Sequence, residues 1–166
     1  MTLRLLIDFA KKKKIKLYVI FVDFAQAYDK VPRAVLFSVL KRLGCGATML
    51  LSLVAMYKVT NCVIGSAIIA ASVGVRQGSP TSCLLFVLYV NDMIKLFKEK
   101  CNLDGFLGWL HLLVFMDDTV ILSTTRQGAI RKLEMLSSFC NSHGMRVNCS
   151  KTNCKVINSK NLIILS

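Results

Sequence analysis

The stretch Leu110-His111-Leu112-Leu113-Val114-Phe115-Met116-Asp117-Asp118-Thr119-Val120-Ile121-Leu122-Ser123 sets two apolar runs on either side of a pair of acids. Each run has strand length, and the short gap between them predicts an antiparallel hairpin. Two-residue hairpin turns ordinarily use Asn-Gly, Asp-Gly or Gly-Gly, because their central residues need φ > 0. Here the connection is Met116-Asp117 or Asp117-Asp118, without a glycine. Turn chemistry does not explain that choice. Carboxylates offered to a cation do, since hard oxygen ligands on a tight turn hold Mg²⁺ and leave positions open for phosphate oxygens. The plainer alternative is an exposed polar turn. If the acids are buried, desolvation and mutual repulsion demand cations or a raised pKa.

Working outward, Leu17-Tyr18-Val19-Ile20-Phe21-Val22 is a second buried strand, and it too ends on an acid, Asp23. It follows the basic run Lys11-Lys12-Lys13-Lys14-Ile15-Lys16, read as a solvated edge or a nucleic-acid contact. A helix with Pro32 in its first turn runs to a stop at Gly44, and another covers residues 47–57. Residues 59–75 alternate as a hairpin. The loop Arg76-Gln77-Gly78-Ser79-Pro80-Thr81 opens a long apolar helix ending near 97–100, and residues 128–142 are amphipathic. Short strands are expected at 146–148 and 155–158. Mixed strands and helices without strict alternation predict an α+β fold, an antiparallel sheet with helices packed on one face, in a single domain over 1–166.

The composition narrows the function. Twenty-two Lys and Arg against nine Asp and Glu give +13 in 166 residues, so polyanions are the expected partners, nucleic acid ahead of an anionic membrane surface. With 54% hydrophobic residues and a mean hydropathy of +0.55 the chain is not a disordered one. The longest uncharged stretch, residues 59–75, is broken by polar residues and glycines, so no membrane span and no membrane partner are expected. Asp8 interrupts the N-terminus before a signal-peptide core forms. Seven cysteines, with no C-x-x-C pair, suggest reduced thiols of an intracellular protein, in nucleus or cytoplasm. Cys140, His143, Cys149 and Cys154 match no common zinc spacing. Two histidines and no G-x-S-x-G leave no hydrolase triad, and Gly44-Cys45-Gly46 is too short for a dinucleotide or P-loop signal.

Three constellations therefore carry the chemistry. Asp23-Phe24-Ala25-Gln26-Ala27-Tyr28-Asp29 joins a strand-ending acid to an aromatic five residues on, Arg76 to Pro80 is a glycine loop at a helix N-terminus, and Asp117-Asp118 sits in the hairpin. In order and spacing they resemble the palm of reverse transcriptases, closest to the type from retrotransposons without long terminal repeats (LINE-type) and its group II intron relatives. Phe21 to Pro32 is similar to that family's first catalytic motif, including the A-Y-D-x-V-P tail. Gly74-Val75-Arg76-Gln77-Gly78-Ser79-Pro80 is similar to its nucleotide loop, Phe115-Met116-Asp117-Asp118 to its aromatic-x-D-D motif, and Asn148-Cys149-Ser150-Lys151-Thr152 to its N-x-x-K-T element. The match runs from about Ile15 to Ile157. Nucleotidyl cyclases share the architecture and paired acids but not this loop and hairpin.

The resemblance implies an RNA-directed DNA polymerase palm that joins deoxynucleoside triphosphates to a DNA primer on an RNA template. It implies Asp23 and Asp117 bridging two Mg²⁺ ions, or Mn²⁺ as a substitute, with Asp118 a nearby third carboxylate and the Phe24 backbone adding a carbonyl ligand. Lys151 would protonate the leaving pyrophosphate. Tyr28 fits a steric gate against a 2′-hydroxyl, and Arg76, Gln77 and Gly78 would contact the nucleotide or its template base. Only 22 residues precede Asp23 and 14 follow Thr152, so the expectation is a fragment without complete fingers and thumb. The alternatives are a non-catalytic nucleic-acid-binding palm and an inactive remnant.

Overall fold

Strand β1 (Leu17–Val22) is buried along nearly its whole length because both of its faces are covered. That is why it reads as a continuous apolar run instead of an alternating one. The computed structural model describes residues 2–58, 61–64, 67–70, 73–76, 78–102 and 104–159, and for 61–70 the backbone alone. Gln77 lies outside these residues. The chain runs α1 (Thr2–Lys13), β1, α2 (Arg33–Arg42), α3 (Ala47–Lys58), β2 (Asn61–Ile64), β3 (Ala67–Ala70), α4 (Pro80–Lys100), β4 (Leu112–Phe115), β5 (Asp118–Ser123), α5 (Arg126–His143) and β6 (Asn153–Ile157). The main sheet is antiparallel, in the order β4-β5-β1-β6, and β2 and β3 form a separate hairpin. This is the α+β architecture the sequence predicts.

The two-residue period of β1 sorts its side chains between two cores. Tyr18, Ile20 and Val22 face Phe86, Tyr89 and Met93 of α4, Leu36 and Leu40 of α2, and Leu136 and Phe139 of α5. Leu17 and Val19 face the other way, toward Ala10 of α1, Leu107 and Leu122. Three helices thus share one face of the sheet as expected, and α1, which the basic run disguised, covers part of the second. Its last turn carries Lys11, Lys12 and Lys13, favourably placed at a helix C-terminus. All four lysines 11–14 and Lys16 are exposed. Asn158 ties this helix end to the last strand, its side-chain amide donating to the carbonyls of Ala10 (2.9 Å) and Ile15 (2.8 Å).

Two sequence expectations need correction. Residues 146–148 form no strand; a single bridge joins Phe24 to Val147. Pro80–Lys100 is, by length and composition, apolar enough to cross a membrane, because its charges are gathered toward the C-terminal end and leave residues 80–91 uncharged. In the fold its stripe of Leu85, Phe86, Tyr89, Val90, Met93 and Phe97 is buried against the sheet.

At the far end of β5 lies a buried polar cluster. The Lys132 ammonium, 6% exposed, donates to the Leu122 carbonyl (2.5 Å) and to His111 Nδ1 (3.0 Å). Burial, then the charge of Lys132, pushes the His111 ring below its ordinary 6.5. Burial also raises the Asp104 carboxyl, but hydrogen bonds from Thr124, Leu107 and Phe106, with the charge of Lys132, outweigh it and hold Asp104 below 3.8. The folded chain therefore binds fewer protons at His111 than the unfolded chain does just below pH 6.5. Its contribution to stability is full above that value and is lost as the pH falls from there. Urea denaturation at about pH 7.5 and about pH 5.5 should give the higher midpoint at the higher pH, with a flatter dependence in His111→Gln.

Candidate active site

The antiparallel register of β1 on β5 pairs Val22 with Thr119. The next residues along, Asp23 and Asp118, therefore stand at the same end of the sheet, where β4 turns into β5. The turn is Met116-Asp117, since Phe115 pairs with Asp118. Met116 takes φ 55°, a left-handed conformation in a non-glycine residue, which costs about 1–3 kcal/mol. The missing glycine is thus a real local strain. Asp117 and Asp118 are exposed, however, so the desolvation argument does not apply to them; the surviving argument is their position.

That position is a cleft of about 820 Å³. Asp23, Phe24, Tyr28, Arg76, Gly78, Asp117 and Lys151, all singled out from sequence, line it. Asp118 does not. It shares a smaller recess of about 320 Å³ with Asp23, Val120 and Lys151. Asp23 and Lys151 therefore border both spaces, with Asp117 on one side and Asp118 on the other.

Asp23 is held by the N-x-x-K-T element. Its amide donates to Thr152 Oγ1 (3.2 Å) and its carbonyl accepts from the Asn148 amide (2.7 Å). The Ala25 amide donates to the Arg146 carbonyl (2.8 Å), so the pairing passes through residues 23 and 25 and leaves the Phe24 carbonyl out of it. Thr152 and the Asn148 backbone are positioning groups to which the sequence reading gave no role, although they lie in the same short element as Lys151.

The opposite wall depends on Gly74. Its amide donates to the Val31 carbonyl (2.9 Å), and the Val75 amide to the Tyr28 carbonyl (2.8 Å). At φ 85°, with a Cβ there only 2.7 Å from the Asp29 carbonyl oxygen, position 74 admits only glycine. The Arg33 guanidinium closes the junction from behind. It donates to the carbonyls of Gly74 (2.9 Å), Tyr57 (2.8 Å) and Val73 (3.1 Å) and lies 5.1 Å over the Tyr57 ring. The Arg76 guanidinium is likewise drawn to the end of α3, donating to the Met56 carbonyl (2.8 Å). The side chain the resemblance assigns to the nucleotide thus also caps a helix.

Tyr28 stands on this wall, its ring 4.9 Å from that of Phe86 and its hydroxyl directed at Cys83 Sγ (3.9 Å). Burial first, then Cys83 and the charge of Asp117, pushes its pKa up to about 12. It therefore presents a neutral phenol to the cleft at any working pH, with Asp117 close enough to be felt. Cys83, from the first turn of α4, is a lining residue that sequence gave no reason to name.

Among the described residues no three His, Cys, Asp or Glu side chains converge to hold an ion unaided. Asp23 and Asp117 across one cleft, both hard-oxygen ligands, suit a divalent cation whose remaining positions a ligand's phosphates would fill.

The family model described as reverse transcriptase (RNA-dependent DNA polymerase) matches residues 1–162. The chain belongs to that family. Its palm-like fold is similar to that of solved telomerases. Apo telomerase from Candida tropicalis, truncated from its C-terminal domain, matches with a TM-score of 0.57 at 19% identity, over 99% of this chain and 36% of that one. Telomerase from Candida albicans in complex with a TWJ fragment of telomeric RNA gives 0.63 at 15% identity, over 98% and 30%. The Candida tropicalis enzyme in the same kind of complex gives 0.64 at 17%, over 96% and 29%. At such identities the likeness is one of fold, and this reverse-transcriptase chain spans about a third of the length of those telomerases.

Gly74→Ala should lower the stability by about 2 kcal/mol or more in urea denaturation, because the new methyl meets backbone. Gly78→Ala, which meets nothing within 4 Å although its φ is 80°, should cost only about 1 kcal/mol.

Proposed function

We propose that this chain is the palm of an RNA-directed DNA polymerase of the LINE-type, non-LTR and group II intron-like branch, working as one palm-like unit that transfers deoxynucleotides to a primer 3′-hydroxyl. The observation that carries the reading is that Asp23 and Asp117, from strands far apart in sequence, line one cleft together with Tyr28 and the loop that opens α4. The A-Y-D-x-V-P tail after Asp23 supports the branch. Its partners are an RNA template, a DNA primer and deoxynucleoside triphosphates. The odd number of cysteines supports a reducing compartment, nucleus or cytoplasm.

Asp23, Asp117 and the Phe24 carbonyl would hold two Mg²⁺ ions, or Mn²⁺, whose chemistry is to make the 3′-hydroxyl acidic and to neutralise the triphosphate. Asp118, bordering the neighbouring recess, adds negative charge beside Asp23. The 3′-oxygen bonds to the α-phosphorus as the bond to the β-phosphate oxygen breaks, and Lys151 is placed to give a proton to the departing pyrophosphate. The Tyr28 ring, wedged on Phe86, crowds the ribose 2′ position and selects deoxynucleotides. Gly78, with Arg76 and Gln77, would contact the nucleotide.

Primer extension on oligo(dT)-primed poly(rA) tests this. With Mg²⁺ or Mn²⁺ the chain should incorporate dTTP and Asp117→Asn should not; incorporation surviving that substitution defeats the proposal. Tyr28→Ala should raise ribonucleotide use relative to deoxynucleotide about 10-fold or more. The net charge of +13 favours a second reading, a palm that binds nucleic acid without synthesis. Salt-sensitive binding to primer–template with no incorporation by the wild-type chain would select it.

A further inference from the structure

The end of the sheet opposite the acids gathers the basic run. Lys16 stands seven residues before Asp23, about 23 Å along β1 at strand rise. Lys11, Lys12 and Lys13 fill the last turn of α1 and Lys14 follows it, and all five lysines are exposed. Ser123 stands opposite Tyr18, so Arg126, exposed at the start of α5, belongs to the same end. Two acids are near. Asp8, exposed, lies one turn back on α1, and the Asp104 oxygens are taken up by the Phe106 and Leu107 amides (both 2.8 Å) and the Thr124 hydroxyl (2.5 Å). Among the described residues none of the six cations forms a salt bridge with a carboxylate. Like charges packed so closely repel one another, and a polyanion relieves that repulsion.

Beside them stands an aromatic side chain that the fold does not use. Trp109, the chain's single tryptophan, is 60% exposed, and among the described residues its indole has no hydrogen bond or ring contact. It is displayed from a braced turn, in which Asp104 and Gly108 exchange backbone hydrogen bonds (3.0 and 2.7 Å). That turn is fastened to α1: the Phe106 ring stacks on Phe9 at 5.6 Å, and Leu107 packs with Ala10. Phe9 and Ala10 directly precede the lysines, so indole and ammonium groups share one end of the molecule. Lysines that take phosphates beside a ring that takes a base face are the means by which an unpaired nucleic-acid strand is held without its sequence being read. A membrane surface calls for a broad apolar face beside the cations. Here Leu3, Leu6, Ile7 and Ala10 are packed onto the sheet, which leaves Leu5 and Phe9 as the exposed large apolar side chains of α1.

We propose that this end of the sheet is a docking surface for an unpaired nucleic-acid strand, its phosphates paired with the lysines of α1 and a base stacked on Trp109. The surface shares no residue with the cleft or the recess around Asp23, and it does not rest on the polymerase reading.

Trp109 is its own probe. The full chain, with divalent metals chelated, is titrated with a uridine oligonucleotide of about 12 nucleotides. The expected result is saturable quenching of tryptophan emission that weakens as salt rises. Inorganic polyphosphate, which has the charge but no bases, should leave the emission nearly unchanged. Lys11→Gln combined with Lys12→Gln, both on exposed side chains, should weaken binding about tenfold and flatten the slope of log affinity against log salt by about 1.4. Trp109→Ala, followed by the anisotropy of labelled oligonucleotide, should weaken it about fivefold or more. Binding with unchanged emission, equal quenching by polyphosphate, or a double lysine variant that binds as well as the parent would overturn the proposal. So would quenching by phosphatidylserine vesicles with none by the oligonucleotide, which would mark a membrane surface. Asp117→Asn should leave the quenching intact, so failure of the polymerase reading and failure of this one are told apart.

Discussion

The register of β1 is the constraint on which the rest depends. This strand is hydrogen-bonded on both edges, to β5 in a register that sets Val22 opposite Thr119 and to β6 in one that sets Phe21 opposite Asn153. A slip of one residue would exchange Tyr18, Ile20 and Val22 with Leu17, Val19 and Phe21 between two different cores. Those cores differ in shape: one is built from α4, α2 and α5, the other from α1 and the segment around Leu107. Register is therefore pinned by packing on both sides, and Asp23 is delivered to one place at the end of the strand.

Around that point the chain assembles the cleft from segments that could not find one another by local preference. Thr152 and Asn148 grip the backbone of Asp23 from the C-terminal side. Gly74 and Val75 grip residues 28–31 from the other. Arg33 then locks the ends of α2 and α3 to residues 73–74 through three carbonyls. The hydrogen bonds in this junction go mostly to backbone, so the identities that matter are the donors and the glycine. The side chains left facing the cleft are free to be chosen for chemistry.

The two polar centres of the molecule are built on opposite principles. The acids of the cleft are exposed or half-exposed and are defined by where strands end. Lys132 and His111 are buried, with Asp104 half-buried beside them, and this cluster is defined by whom each member bonds. Desolvation shapes the second and hardly touches Asp117 and Asp118. Sequence reasoning left open whether the hairpin acids carry a burial penalty or lie in an exposed polar turn, and it passed over Lys132 as one position of an amphipathic helix.

The sequence by itself determined the strand leading to Asp23, the hairpin bearing Asp117 and Asp118, helices from Pro32 to a stop at Gly44, over 47–57, from the 76–81 loop to about 97–100 and over 128–142, and, through the order of four motifs, the family. These are local patterns of apolar period, turn chemistry and spacing, and they survive without knowledge of neighbours. It missed α1, whose lysines hide a helix stabilised by an apolar face on the far side of the sheet, and it gave residues 146–148 a strand where one bridge suffices. The tertiary structure alone decided that Asp23 opens on two spaces with Asp117 and Asp118 on different sides, that Arg76 caps α3, that Thr152 holds Asp23, and that His111 is hydrogen-bonded to Lys132. Each of those depends on contacts between residues 20 to 129 positions apart, and pairings at such separations are set by how the cores pack, which no local period in the chain records.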